Sequence, residues 1–166
     1  MTPGLPYASL GETLVTLVEP WKERYGDSVA LSTTITALHL VAMLLAGGLA
    51  VAMDRAVLRL DPRDDAARAR VLDEVAAVHP PVIAGLVVMA LTGMAMAAAD
   101  LETYLASPIY WLKLSAVFAL LANGALLVRA ERQGGGAWGR VRRHAVLSVL
   151  LWVATAVIGT VLTNAA

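Results

Sequence analysis

The stretch from Ser32 to Arg59 constrains the fold of this chain more than any other, and it reads STTITALHLVAMLLAGGLAVAMDRAVLR. Between Thr36 and Asp54 it is almost wholly apolar, with His39 as its one titratable residue. A helix needs about 20 mainly apolar residues to cross the hydrocarbon of a bilayer. The stretch is therefore predicted to span a membrane as a helix that carries one histidine.

The two faces of this helix differ in the size and polarity of their side chains, because residues three and four positions apart share a face. The face of His39 also carries Ser32, Thr36, Met43, Ala46, Gly47, Ala50 and Asp54, whereas the opposite face carries Leu38, Leu45 and Leu49. Membrane helices associate through small residues, since lipid gives no hydrophobic drive between them. We expect the His39 face to contact other helices and the leucine face to contact lipid.

The composition of the whole chain indicates a single membrane domain. Hydrophobic residues make up 58% of the 166 residues and charged residues 16%, whereas about 25% of residues are charged in a soluble domain. Apolar stretches at about 31–53, 81–99, 109–128 and 141–163 predict four transmembrane helices. Each stretch has a stripe of small or polar residues, so the predicted fold is an all-α, antiparallel four-helix bundle around a shared interior.

Two further helices are predicted outside the four spans. Residues 9–24 have one apolar face, which indicates an amphipathic helix in the membrane interface, or else a solvated helix that covers the end of the bundle. Pro20 is expected to kink or end that helix. The pair Asp61–Pro62 predicts the N-terminus of a cytoplasmic helix over 62–77, and the pair Pro80–Pro81 predicts the first turn of span two.

Basic residues are concentrated in two segments that four spans place on one side of the membrane. Residues 54–78 and 129–143 hold five arginines each, which is ten of the 13 lysines and arginines in the chain. Cytoplasmic loops carry an excess of basic residues, so we expect a protein of the bacterial inner membrane with both termini in the periplasm. The four tyrosines, Trp21 and Trp111 fall on the periplasmic side, as an interfacial aromatic belt does.

The first candidate site consists of two histidines at the cytoplasmic ends of their helices. His79 and His144 lie at similar depth, imidazole is a standard haem ligand, and helix bundles hold cofactors between facing helices. They are therefore the candidate axial ligands of a haem b at the inner end of the bundle. In the alternative interpretation, both are ordinary interfacial histidines that contact water or lipid headgroups.

The second candidate site is centred on His39. Met43 lies one turn away on the same face, and Met89 of span two reaches a comparable depth, since a helix rises about 1.5 Å per residue. Imidazole and thioether groups suit Cu(I), so these three residues are candidate copper ligands. In the alternative interpretation, His39 donates a hydrogen bond to Thr92, to Thr155 or to a backbone carbonyl, and the methionines only pack.

Two more polar residues, Lys113 and Asn123, are expected inside the bundle on nearly the same face of span three. Lys113 is a candidate contact for an anion or a lipid, or it extends to the outer headgroups, as lysines near helix ends do. No arrangement of nucleophile and base, no phosphate-binding loop and no carboxylate pair occurs in the spans, and the chain has no cysteine. No catalytic residue is predicted, and enzymatic activity stays an open question.

Short motifs run through most of the chain: His39 and Asp54–Arg55 in span one, Thr92–Gly93 in span two, and Ser107–Pro108, Trp111, Lys113 and Asn123 at span three. On these motifs the chain resembles a family of small bacterial four-helix membrane proteins of uncharacterised function. The layout is more loosely similar to copper-resistance D-type domains and to four-helix b-type cytochromes. In those cytochromes the histidines pair at matched depth, which only His79 and His144 do here.

Two function classes follow. One is a membrane protein that binds a redox cofactor, haem b, or copper within or at the inner end of the bundle. The alternative is a non-catalytic accessory or assembly subunit of a larger membrane complex. The lack of catalytic motifs favours this second class, whereas the buried His39 favours the first. The expected partners are the lipid bilayer and either other membrane subunits or a second copy of the chain, and no nucleic acid is expected.

Overall fold

The computed structural model describes residues 10–61, 63–133 and 138–165, and every described element is a helix. The helices are α1 (Leu10–Asp27), α2 (Val29–Arg59), α3 (Asp65–Ala99), α4 (Leu101–Ala106), α5 (Pro108–Arg132) and α6 (Trp138–Ala165). Among them α2, α3, α5 and α6 are long and apolar enough to cross a membrane. The prediction of an all-helical chain with four such helices is confirmed within the described residues.

The second long helix begins earlier than its proline pair indicates. α3 starts at Asp65 after the N-cap residue Asp64, whose side chain accepts the backbone N–H of Ala67 at 2.9 Å. The pair Pro80–Pro81 lies inside α3, so the expectation that a helix begins there is wrong. Both prolines are exposed, and their missing N–H groups leave the contact between α3 and its neighbour α2 intact.

Contrary to the prediction from the sequence, Asp61 is not the N-cap of the following helix, because Asp64 has that position. The Asp61 carboxylate accepts the backbone N–H of Arg63 at 2.9 Å, which closes a short turn between α2 and α3. Pro62, the predicted first residue of a cytoplasmic helix, lies outside the described residues, as does the loop 134–137 between α5 and α6.

The first helix passes through its proline without ending. α1 contains Pro20 and continues to Asp27, so of the two expected effects of this proline, the end of the helix is wrong and the kink stays a prediction. The indole N–H of Trp21 donates to the backbone carbonyl of Ala95 in α3 at 2.7 Å. This bond fixes the middle of α1 against the last turns of α3.

The exposure of the α2 side chains agrees with the faces expected from the sequence. Ala42, Ala46 and Gly47 are buried against other helices. On the opposite face Leu38 is 49% exposed and Leu45 is 61% exposed. Apolar side chains of that size are exposed in this way where lipid covers them.

Three of the four helix–helix boundaries are closely packed. α2 packs along α3, α5 packs along α6, and α2 packs against α6. The backbones of α3 and α5 make at most isolated close approaches within the described residues. The assembly is thus two helical hairpins joined through α2 and α6, with a gap between α3 and α5.

The two ends of this assembly have different compositions. At one end, here named the arginine end, the guanidinium of Arg142 donates to the backbone carbonyl of Leu60 at 3.1 Å, and Arg68 lies over the ring of Trp138. The opposite end is named the aromatic end, and its aromatic side chains are Trp21, Tyr25, Tyr104, Tyr110 and Trp111. Burial raises the pKa of Tyr104 in α4, and the carboxylate of Asp100 acts in the same direction.

Candidate functional site

The gap between α3 and α5 contains a cavity of about 260 Å³, here named the cleft. Its lining comes from all four long helices: Ala50, Met53 and Asp54 of α2; Val75, Val78, His79, Val82, Ile83 and Leu86 of α3; Leu120, Leu121, Gly124, Ala125, Leu127 and Val128 of α5; Ser148 and Trp152 of α6. Most of these side chains are aliphatic, so the cleft suits an apolar occupant.

The arginine end of the cleft is closed by packed side chains. Val57, Val75, Leu127, Trp138 and Val141 belong to one buried cluster that joins all four long helices there. Beside that cluster, the imidazole Nε2 of His79 lies 3.5 Å from the carboxylate Oε2 of Glu131. This contact links α3 to α5 across the gap.

The mouth of the cleft lies on the side of the assembly, between α3 and α5. Ile83 of α3 is 59% exposed and Leu121 of α5 is 45% exposed, and both residues line the cavity. Aliphatic side chains exposed on a membrane-length helix contact hydrocarbon. The mouth of the cleft therefore has an apolar rim, between two helices that are long and apolar enough to cross a membrane.

A carboxylate forms the polar part of the cleft wall. Asp54 is only 4% exposed, and its Oδ2 atom has no hydrogen-bond partner among the described residues. The Ser148 side chain of α6 lies close to the same carboxyl group on the cleft wall. The Oε1 atom of Glu131 is likewise buried without a partner. A buried polar atom without a partner costs free energy, so this region is suited to a ligand that supplies hydrogen-bond donors.

His39 lies near the aromatic end, away from the cleft, and its ring already has a partner. Its Nδ1 atom is 2.9 Å from the hydroxyl oxygen of Thr92 in α3. The Thr92 hydroxyl donates its one hydrogen to the backbone carbonyl of Val88 at 2.6 Å. The hydroxyl oxygen is therefore the acceptor toward His39, so Nδ1 carries the proton of the neutral ring.

Glycines make room for the polar side chains at this level of the assembly. A Cβ added at Gly93 of α3 would lie 3.3 Å from the His39 ring, and one added at Gly159 of α6 would lie 3.6 Å from the Nζ of Lys113. Lys113 is thus turned toward α6, and it is half-buried with no ion-pair partner among the described residues. Thr155 is buried and donates to the carbonyl of Leu151 on its own helix.

The two histidines proposed for haem have different neighbours in the structure. His79 lines the cleft and faces Glu131. The Nδ1 atom of His144 lies 2.8 Å from the Oδ1 of Asn123, and the Nδ2 of Asn123 donates to the backbone carbonyl of His144 at 2.9 Å. This reciprocal pair joins α5 to α6, and axial ligation by both histidines stays a prediction.

The copper site proposed at His39 also stays a prediction. Met43 of α2 and Met89 of α3 are both half-buried. Among the described residues, no group of three or more histidine, aspartate or glutamate side chains converges as a metal site. With Nδ1 protonated, Nε2 of His39 is the ring atom that would bind a soft metal ion together with these thioethers.

Sequence reasoning assigned His79 to a site, but not the other polar residues in and beside the cleft. Asp54 was visible on the His39 face of α2, and Ser148 belongs to the polar stripe of α6. Glu131 lies in a segment that reads as a loop, and only the extension of α5 to Arg132 places it on a helix beside α3. A carboxylate on an otherwise small-residue face was the available signal.

Comparisons with known protein families, with curated proteins and with solved structures found no match to this chain.

Proposed function

We propose that this chain is a small polytopic membrane protein that binds an apolar molecule from the bilayer in the cleft. In this proposal α2, α3, α5 and α6 are the four spans of an antiparallel bundle, and the arginine end lies in the cytoplasm because basic residues favour that side. The observation that carries the proposal is the cavity of about 260 Å³ that opens sideways between α3 and α5.

The size and lining of the cleft support a ligand with an extended apolar part. An apolar cavity of about 150 Å³ already suffices to bind benzene, and the cleft is larger. Side chains that line an empty space lose dispersion contacts on one side. An acyl, isoprenoid or alkyl chain that enters past Ile83 and Leu121 would restore those contacts.

This proposal differs from the two functions expected from the sequence. Binding of haem b or copper, and a role as an accessory subunit of a larger complex, stay predictions. Small residues bring other helices of this chain into close contact, whereas α3 and α5 leave a cavity between them. This difference favours ligand binding in the cleft over a purely structural role.

Quenching of Trp152 by 11,12-dibromododecanol in detergent micelles tests the proposal, because bromine quenches indole fluorescence on contact and Trp152 lines the cleft. The Trp152→Phe variant identifies the part of the signal that comes from the cleft. Gly124→Leu should abolish that part, because Gly124 lines the cleft and has no atom within 4 Å of an added Cβ.

The matched control is Gly48→Leu, since Gly48 also has open space around it but lies outside the cleft. This variant should be quenched like the unmodified protein. Equal quenching in Gly124→Leu and the unmodified protein, or no quenching of Trp152 in either, would refute apolar ligand binding in the cleft.

The proposed orientation has its own test. Alkaline phosphatase fused after Ala166 is expected to be active, and β-galactosidase fused at the same residue inactive, because ten of the 13 basic residues lie in the two segments assigned to the cytoplasm. The reverse pattern of reporter activity would place the termini in the cytoplasm.

A further inference from the structure

We infer that the ligand of the cleft is an amphiphile with an ammonium headgroup, which binds to Asp54 while its apolar chain fills the cleft. The inference rests on the proposed function and adds the charge and position of the headgroup. It starts from Asp54, which lines the cleft, is more than nine-tenths buried at 4% exposure, and has an Oδ2 atom without a partner.

The charged groups near Asp54 leave its carboxylate without a basic partner. On α2, Arg55 and Arg59 are exposed on other faces, and on α5, Arg132 is exposed. No lysine, arginine or histidine nitrogen of the described residues lies within ion-pair distance of the Asp54 oxygens. From α6, the uncharged side chain of Ser148 lies close to it.

A second carboxylate strengthens the negative character of the same region. Glu131 lies close enough to Asp54 for their charges to interact. Its Oε2 faces His79 at 3.5 Å, while its Oε1 is buried without a partner. Among the described residues, His79 is the one base within ion-pair distance of either carboxyl group, and its contact is with Glu131. Arg132 lies near enough for its charge to act on His79.

An ammonium group satisfies this arrangement better than other headgroups. It offers three donors and a positive charge, whereas an ionised anionic headgroup would offer no donor to the unpaired oxygens of Asp54 and Glu131. An isolated carboxylate in an apolar environment is costly unless it is paired and hydrogen-bonded. A cationic headgroup that reaches Asp54 from within the cleft supplies both interactions, and the aliphatic lining accepts the chain.

The test compares two probes that share a chain and differ in headgroup, 11,12-dibromododecylamine and 11,12-dibromododecanol. Both are titrated against the full-length protein in neutral detergent micelles, with quenching of Trp152 as the readout. The comparison is repeated with Asp54→Asn, which preserves size and removes charge. The control is Asp73→Asn, an exposed carboxylate on α3 outside the cleft.

The unmodified protein and Asp73→Asn should each bind the amine at least about tenfold more tightly than Asp54→Asn does, because hydrogen bonds to a charged group are stronger than neutral ones. The alcohol should bind to all three proteins with similar affinity. Each probe partitions between water and the micelles to the same extent for every protein, so comparing one probe across the proteins removes that effect. Amine binding that is unchanged in Asp54→Asn, with both probes still quenching Trp152, would overturn the ammonium inference and leave the proposed function standing. Failure of both probes to quench Trp152 would refute the proposed function, and the inference with it.

Discussion

The boundary between α2 and α3 and the gap between α3 and α5 share one helix, yet their packing is opposite. At the α2–α3 boundary, a Cβ added at Gly85 would lie 2.7 Å from the Cβ of Ala46, so the two backbones are as close as their small residues allow. Between α3 and α5 the lining is mostly branched aliphatic, and a cavity remains. The difference shows that small residues at matched positions bring membrane helices together.

The polar groups follow the same division. At the α2–α3 boundary, His39 and Thr92 satisfy each other at 2.9 Å. Among the described residues, the Oδ2 of Asp54 on the cleft wall has no partner, and neither has the Oε1 of Glu131 close to it. A satisfied pair stabilises a helix contact, whereas unsatisfied atoms on a cavity wall are available to a ligand.

The largest effect is expected from breaking the close boundary with Gly85→Ala. The added methyl overlaps Ala46, which has no flexible end that could move away, so the helices must separate at a cost of about 1–3 kcal/mol. Reversible unfolding in mixed micelles measures this loss in the free energy of unfolding.

The control for that substitution is Gly48→Ala, whose added methyl meets open space. It should be neutral or raise the free energy of unfolding by up to about 1 kcal/mol, because alanine favours helix over glycine. A Gly85→Ala protein as stable as Gly48→Ala would contradict the close packing of α2 on α3.

A smaller loss is expected from His39→Leu, at about 1 kcal/mol. Thr92 keeps its hydrogen bond to the carbonyl of Val88 after this substitution, so no donor is left unpaired. A double-mutant cycle with Thr92→Val should give a coupling energy of about 0.6 kcal/mol between the two side chains. A coupling of zero would mean that the two residues do not interact across the boundary.

Gly47→Ala should cost less than about 1 kcal/mol, although its added methyl would lie 3.0 Å from the ring of Trp152. The ring borders the cleft and can shift into the open space, unlike Ala46 at the close boundary. The substitution should therefore change the fluorescence emission of Trp152 and leave the free energy of unfolding nearly unchanged. A loss of stability as large as that of Gly85→Ala would mean that the cleft cannot accept the ring.

The smallest effect on stability is expected from Gly124→Leu. The new side chain enters the cleft without meeting an atom within 4 Å of its Cβ, so the free energy of unfolding should stay within about 0.5 kcal/mol of the unmodified protein or rise slightly. Unfolding in micelles under the same conditions as for Gly85→Ala measures it. Strong destabilisation would show that α3 and α5 are closer than the cleft requires.

The sequence predicts part of this comparison and not the rest. The small-residue face of α2 was readable from helical spacing, and Ala46 and Gly47 are indeed buried. The start of α3 could not be predicted in this way. Proline is common in the first turn of a helix, whereas here the two prolines lie on an exposed face inside a longer helix. Contacts along the whole of α2 outweigh two missing backbone hydrogen bonds.

The partners of the polar residues depend on which helices are neighbours, and spacing along one chain does not determine this. The pairing of His39 with Thr92 was among the alternatives expected from depth alone, since both side chains lie at a similar level. To predict the pairing of Asn123 with His144 or the proximity of Asp54 to Glu131, one must know how α2, α5 and α6 are rotated about their axes relative to one another. That rotation is set by side-chain packing at each boundary, which a single sequence does not specify.

An experimental structure of the full-length protein in lipid nanodiscs that contain 11,12-dibromododecylamine tests the central claim most directly. Elongated density is expected between α3 and α5, with bromine signal near Trp152 and the amine end at Asp54. Side chains of α3 and α5 packed against each other, with no space between Ile83 and Leu121 for a chain, would contradict it.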